Sequence, residues 1–482
     1  MYRSAARNRC LPKPEFPKKA RTIVIAKPLL VGIALWCLGA PMLRSQVAYS
    51  MVDLGVVPGS SGAGTTPTRM NAMGDCVGWS TVGSAPHAFL YTDEQGMVDL
   101  GNLPGNVSAT ARCLNDLRVV LGVLTWDEFS WAPPGGMTVF APGFWSRPGA
   151  INNSGMVVGT LNPGGFSPRP FFYTPQQGVV QFAGPAWGHA FDVNESGTLV
   201  GDWGGTGGSI YNAATGSQPL PTLSGFPWNY PVAINDAGQV AGNASPVTGL
   251  STWFRYTPGG GIVNIGTPGA WGGGVGAMNN FGDMVGFHNT TIEQAYLYTD
   301  AAGFQNLNAM VPSGSGYTLS YGTAINDAGQ ILCGAYNGSL TPSFRAVRLD
   351  PIARTAWASP VGTGCSSASP PTLTGSRPIL GGMLSLNLTN AAPATAGILA
   401  ASLGRPVPAS FGPTCSTYVD LSGLLVSLPL LTDATGNAGY MLPVPMSTAF
   451  SGLSLTWQAA LIGTNGPAGL DLSNALLMQL GN

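Results

Sequence analysis

The stretch Val232-Ala233-Ile234-Asn235-Asp236-Ala237-Gly238-Gln239-Val240-Ala241-Gly242 carries the folding rule of most of this chain. An apolar run enters, Asn235 can fold its side chain onto the backbone ahead, and Gly238 takes a positive φ at no steric cost. A second apolar run then leaves, so the segment reads as a tight β-hairpin.

The same phrase, Asn with Gly three and seven positions later, recurs at Asn71, Asn152, Asn194, Asn235 and Asn279. Two further copies are degenerate. Asn115 has Arg118 in the middle slot, and Asn326 has its last Gly one place late, at Gly334. The spacings between successive Asn residues run from 37 to 47 residues, the length of one four-stranded propeller blade. Two more strands complete each unit. In the first copy they are His87-Ala88-Phe89-Leu90-Tyr91 and Met97-Val98-Asp99-Leu100-Gly101. The Asn residues are expected to be structural.

The ends of the array sharpen the expectation. Met51-Val52-Asp53-Leu54-Gly55 matches the fourth strand of a unit but precedes the first phrase, while Arg345-Ala346-Val347-Arg348-Leu349 is a third strand with no clear fourth after it. The spare strand fits the missing one. The expected fold is therefore all-β, a seven-bladed β-propeller with the N-terminal strand closing the last blade, followed by a small β-sandwich. Closure removes exposed sheet edges; an open β-solenoid is the competing geometry.

Composition agrees with the hairpins. The 482 residues include 69 Gly and 40 Pro with only 9% charged residues, which disfavours helices, and 44% apolar residues, which is enough for a core. Residues 1–48 carry nine basic groups against Glu15, and the remainder holds eleven Arg, no Lys and twenty acidic residues. Nucleic-acid binding is excluded on that balance, since phosphates call for clustered basic side chains. The basic start leads into the apolar run Leu29 to Ala40, too short for a comfortable membrane span and suited to a signal peptide. Residues 1–48 are thus read as a signal peptide or an uncleaved N-terminal anchor, the only route to a membrane.

These phrases, and His87-Ala88-Phe89-Leu90-Tyr91 above all, resemble the HAF repeat family of extracellular bacterial proteins over residues 49–350. The resemblance implies export to the cell surface or medium and brings no catalytic motif with it. After a linker at 351–370, residues 371–482 read as the sandwich, from alternating segments such as Met383-Leu384-Ser385-Leu386-Asn387-Leu388. The stretch 357–482 resembles a C-terminal module found behind unrelated domains in exported bacterial proteins, which implies sorting or surface attachment. Cys365 and Cys415 are the expected disulfide; Cys76, Cys113 and Cys333 are left without an assigned pairing.

No chemistry-bearing motif emerges. His87, His189 and His288 are the only histidines, there is no Gly-x-Ser-x-Gly elbow, no calcium loop and no CxxC, and most Asp residues sit in turns. No catalytic residue, metal or cofactor is assigned. One constellation exceeds the needs of the repeat: Trp145, Trp187, Trp228 and Trp271 stand seven or eight residues before an Asn, and Tyr317 stands nine before Asn326. Ringed on one face they would suit stacking against sugar rings or anchoring a protein. The competing reading wedges each Trp between neighbouring blades as core. The expected function is a non-catalytic binding or adhesion propeller for an extracellular glycan or surface protein. A purely structural surface protein and a propeller glycan lyase or hydrolase are the alternatives.

Overall fold

The structure is a computed structural model that describes residues 49–60, 64–140, 146–162, 168–181, 187–203, 207–269, 272–289, 293–340, 343–352, 356–366, 369–411, 415–463 and 469–481. The expected signal or anchor segment, Trp145 and Trp271 lie outside these residues. The described chain is all-β, with only short 3-10 turns besides its strands.

Up to Pro351 the strands form seven four-stranded antiparallel sheets. Six are simple meanders, each starting at one copy of the Asn phrase; the fifth runs Trp228–Ile234, Val240–Ser245, Thr252–Thr257, Gly261–Gly266. The seventh joins Thr318–Ile325, Ile331–Tyr336 and Phe344–Pro351 to the N-terminal strand Tyr49–Asp53, with Val52 opposite Arg348 and Asp53 opposite Val347.

Each hairpin is built as its residue types require. The Asn71 Oδ1 accepts from the backbone N–H groups of Met73 and Asp75, and the same pair of bonds recurs at Asn115 and Asn279. Gly238 adopts φ +75°, and the equivalent slot in the second sheet is filled by Arg118 at φ 61°, a strained choice for a side-chain-bearing residue. The Gly seven places after each Asn is set by crowding: a Cβ at Gly242 would run into the carbonyl of Tyr230 on the first strand. In the seventh sheet Cys333 takes the usual glycine's place opposite Gly322, and Gly334 stands one pair further on, opposite Tyr321, where a Cβ would meet the Tyr321 and Phe344 rings; an additional bulge follows between Leu319 and Tyr321.

Packing runs from sheet to sheet. Phe129 of the second sheet is buried against Val77 and Leu90 of the first, and the series continues until Leu332 and Ala346 of the seventh share a cluster with Phe89 and Cys76 of the first. The Asn side chains follow the same path. The Nδ2 of each donates to the backbone carbonyl of the next, from Asn71 to Asn115, Asn152, Asn194, Asn235, Asn279 and Asn326, and Asn326 donates back to Asn71, at 3.0–3.4 Å throughout.

Beyond Pro351 a five-stranded and a three-stranded sheet enclose a core with Leu386, Leu388, Trp457 and Met478. Cys365 and Cys415 are joined by a disulfide. The strand Trp357–Val361 falls inside the stretch expected as a linker and pairs with Leu470–Gln479. It also seats the second region against the first, because Trp357 and Val361 pack with Ala328, Met73, Leu117 and Phe281. Arg405 bonds to Asp75, and Asn153 Nδ2 donates to the Pro360 carbonyl at 3.1 Å.

Candidate ligand-binding site

The innermost strand of every one of the seven sheets carries a β-bulge at the same place, three residues before its Asn. The extra residue of each bulge is Thr68, Arg112, Gly149, Phe191, Val232, Gly276 and Thr323 in turn, and all seven line one cavity of about 590 Å³. Bulges re-aim side chains and are enriched beside functional sites. The slot also differs from the hairpin Asn in kind. Asn recurs in every copy because the hairpin depends on it, whereas the bulge residue changes from copy to copy: Thr68 and Thr323 bond backbone carbonyls, Gly149 and Gly276 are held small by the next sheet's backbone, and Arg112, Phe191 and Val232 vary in chemistry.

Three cavities follow one another along the inner strands. The outer one takes residues such as Tyr230, Pro231 and Val232; the next, of about 170 Å³, takes Ala233 and Met278; the last, of about 190 Å³, is lined by the Asn residues and their neighbours. Ser359, from the strand Trp357–Val361, borders the last cavity. The C-terminal region therefore covers the hairpin end, and the outer cavity is the end it leaves uncovered.

Around the last cavity the residues following each Asn form a second hydrogen-bonded series. The backbone N–H groups of Ala72, Asp116, Asn153, Glu195, Asp236 and Asn280 donate to the side chains of Asp116, Asn153, Glu195, Asp236, Asn280 and Asp327 respectively, at 2.8–3.1 Å. Burial, reinforced by the neighbouring carboxylates, raises the pKa of Asp116, pushes that of Asp327 up to about 6, and lifts that of Glu195 well above the usual range. These acids hold backbone, so their turn positions have a structural explanation.

The outer cavity is uneven in chemistry. Arg69 and Arg112 come from the first and second sheets, while Tyr230, Phe287, Glu293 and Tyr321 come from the fifth, sixth and seventh. The Tyr321 hydroxyl is pushed up to about 12 by burial and stays protonated at neutral pH. Arg69 also borders the middle cavity, where half-buried Asp192 accepts from the Ile234 N–H at 2.9 Å.

Of the five aromatic residues expected to form a binding ring, three are described. Trp187 is 61% exposed and Trp228 43%, so neither is a buried wedge. They sit at the ends of the fourth and fifth inner strands remote from the Asn hairpins. Tyr317 is half-buried, and its hydroxyl donates to Asp53 Oδ2 at 2.5 Å, a contact that ties it to the N-terminal strand. Four exposed aromatics among the described residues were not expected, Trp126, Tyr230, Tyr336 and Phe450; the two that line cavities are Tyr230, two places after Trp228 and 43% exposed, and Trp126, 65% exposed. Alternation along Trp228-Asn229-Tyr230-Pro231 was a usable signal for Tyr230; Trp126 lies in a turn outside the repeat's pattern. The histidines have structural contacts: His87 pairs with Asp99 at 2.9 Å, and His189 meets Thr160 Oγ1 at 3.1 Å and stacks on Phe191.

The arrangement defines the class as all-β and β-propeller-like. No protein-family model and no curated protein matches the chain. Among solved structures it is similar to virginiamycin B lyase from Staphylococcus aureus, at 13% identity and a TM-score of 0.42, over 63% of this chain and 99% of that one. It is also similar to a fungal alcohol oxidase in complex with copper, at 13% identity and a TM-score of 0.40, over 90% and 100% of the two chains. TolB from Acinetobacter baumannii matches at 13% identity and a TM-score of 0.34, over 45% and 58%.

Proposed function

We propose that this chain is an exported, non-catalytic binding protein. Its seven repeats would be the blades of a seven-bladed β-propeller of the HAF-repeat kind, spanning 49–350, with Tyr49–Asp53 closing the last blade. It would bind an extracellular glycan at the end of the propeller that the C-terminal region leaves uncovered. The observation that carries this reading is the alignment of seven bulge residues on one cavity, with exposed Trp187 and Trp228 at the starts of two inner strands, four residues before Phe191 and two before Tyr230 of its lining. Exposed flat side chains beside a mainly apolar hollow suit stacking against sugar rings.

The non-catalytic part rests on the work already done by the acids: Asp116, Asp236 and Asp327 accept backbone N–H groups. Export rests on the basic and apolar pattern of residues 1–48. A glycan-array screen tests the reading. Wild type should bind a definable set of glycans, and the Trp187→Ala, Trp228→Ala double variant should lose them while melting at the same temperature. A folded double variant with the wild-type binding profile overturns the aromatic face, and turnover abolished by a single carboxylate substitution at the cavity replaces binding with catalysis.

A further inference from the structure

Among the seven bulge residues only Arg112 is charged, and it stands at a junction. It borders the outer cavity and also a side pocket of about 210 Å³ that contains Arg147 and the exposed Trp126. Arg118, Arg255, Arg345, Arg348 and Arg405 each pair with a carboxylate, but Arg69, Arg112 and Arg147 make no ion pair with a described residue. Arg112 and Arg147 both reach solvent, and partial desolvation, then the like charge of Arg147, hold the Arg112 guanidinium below its ordinary range. Cations left close together without partners are relieved by an anion that reaches both.

The acidic groups nearby do not fill that role. Asp192 lies in the middle cavity beside Arg69 with a backbone N–H on its carboxylate, Asp127 and Glu128 share the side pocket with Arg112 and Arg147 without an ion pair to either, and Glu293 is on the aromatic side of the outer cavity. Across from the cations stand Tyr230 and Phe287. A ligand that satisfies this hollow carries a carboxylate at one point, a flat C–H face, and hydroxyl groups able to donate to Glu293.

We infer that the outer cavity binds acidic glycans, with the carboxylate of a uronate residue received by Arg112 and its ring face against Tyr230. This rests on the glycan-binding reading above and narrows it to a sugar class. Arg112 offers a planar fork to the carboxylate, and Trp126 offers a stacking surface to a neighbouring residue of the chain.

The test is calorimetric titration of the full chain with tetragalacturonate and tetramannuronate, each beside its neutral methyl ester. At least one acid should bind, and its ester should bind about tenfold more weakly, the factor expected for one charge-assisted pair. Arg112→Gln should lower the acid to the level of the ester, Arg112→Lys should restore part of the difference, and both variants should melt like wild type. Acid and ester binding alike, or Arg112→Gln binding the acid as wild type does, overturns the inference and leaves the aromatic reading standing. Failure of both acids to bind, with neutral glycans retained on the array, overturns it in the same way; a blank array as well removes both.

Discussion

The side-chain amide of Asn326 donates to the backbone carbonyl of Asn71, 255 residues earlier in the chain, at 3.2 Å. That bond joins the last repeat to the first by the same contact that links every neighbouring pair. Each Asn is buried and accepts at least one backbone N–H as well; Asn194 takes that of Thr198 and the Ser196 hydroxyl, so its removal strands several polar groups at once. Asn194→Ala is expected to cost about 1–3 kcal/mol per stranded group, read as a lowered urea midpoint. Asn194→Asp, which keeps the acceptor but loses the donated bond to Asn235, should cost less than Asn194→Ala if the hairpin acceptor matters most.

Asp75 makes the second prediction. Its side chain is fully buried and meets Arg118 Nε at 3.1 Å as well as Arg405, while Glu94 receives a bond from Arg118 at 2.8 Å. Burial opposes ionisation of Asp75, and the two guanidiniums more than offset it, so its pKa is lowered. Asp75→Ala leaves the two part-buried guanidiniums with only the exposed Glu94 as carboxylate partner and should destabilise the chain by up to roughly 3–5 kcal/mol. The measurement is denaturant unfolding of both proteins; an effect below about 1 kcal/mol would mark the cluster as solvent-relaxed.

Asp327 is shifted in the opposite direction to Asp75 and sets a pH dependence of stability. Burial first, with the Asp236 and Asp116 charges adding to it, pushes its pKa from the ordinary 3.8 up to about 6. The folded chain holds this proton more tightly than the unfolded chain, so the contribution is complete below about 3.8 and is lost as pH rises through about 6. Unfolding free energy should therefore fall between pH 4 and pH 7 by up to about 3 kcal/mol relative to Asp327→Asn, which lacks the titrating group. A difference between wild type and variant that does not change with pH would contradict the assignment.

The thiols give a chemical readout. Cys76, Cys113 and Cys333 are free and buried, and burial raises all three, Cys113 to about 12. Thiolate is the reactive form, so none should label with iodoacetamide at pH 8 in the folded protein, and all three should label in denaturant. Peptide mapping by mass spectrometry distinguishes them from the cysteines of the N-terminal segment.

Much of the sheet architecture is legible before any coordinates, because a hairpin needs its residue types locally. Asn235, Gly238 and the apolar runs around them mark where a chain turns, whatever surrounds it. Even the irregular copies were readable as copies, though the means of their accommodation was not: Arg118 occupies a left-handed slot with its guanidinium anchored on Asp75 and Glu94, and Gly334 stands opposite Tyr321 against the Tyr321 and Phe344 rings. The aromatic slot was legible as a pattern, and Trp187 and Trp228 stand exposed there; Tyr317 is instead tied by its hydroxyl to Asp53.

The candidate site itself was not legible. Thr68, Arg112, Gly149, Phe191, Val232, Gly276 and Thr323 share no chemistry, and nothing along the chain announces that they meet. Their common position, three before the Asn, carries meaning only once a bulge turns each inward. The sequence by itself determined the period and the hairpins, since these depend on neighbours within one repeat. Only the tertiary structure decided that Arg112 shares a cavity with Tyr230, that Trp357 covers the hairpin end, and which aromatics remain in solvent. Those are contacts between segments tens to hundreds of residues apart, chosen by packing and by the hydrogen bonds that run from each sheet to the next.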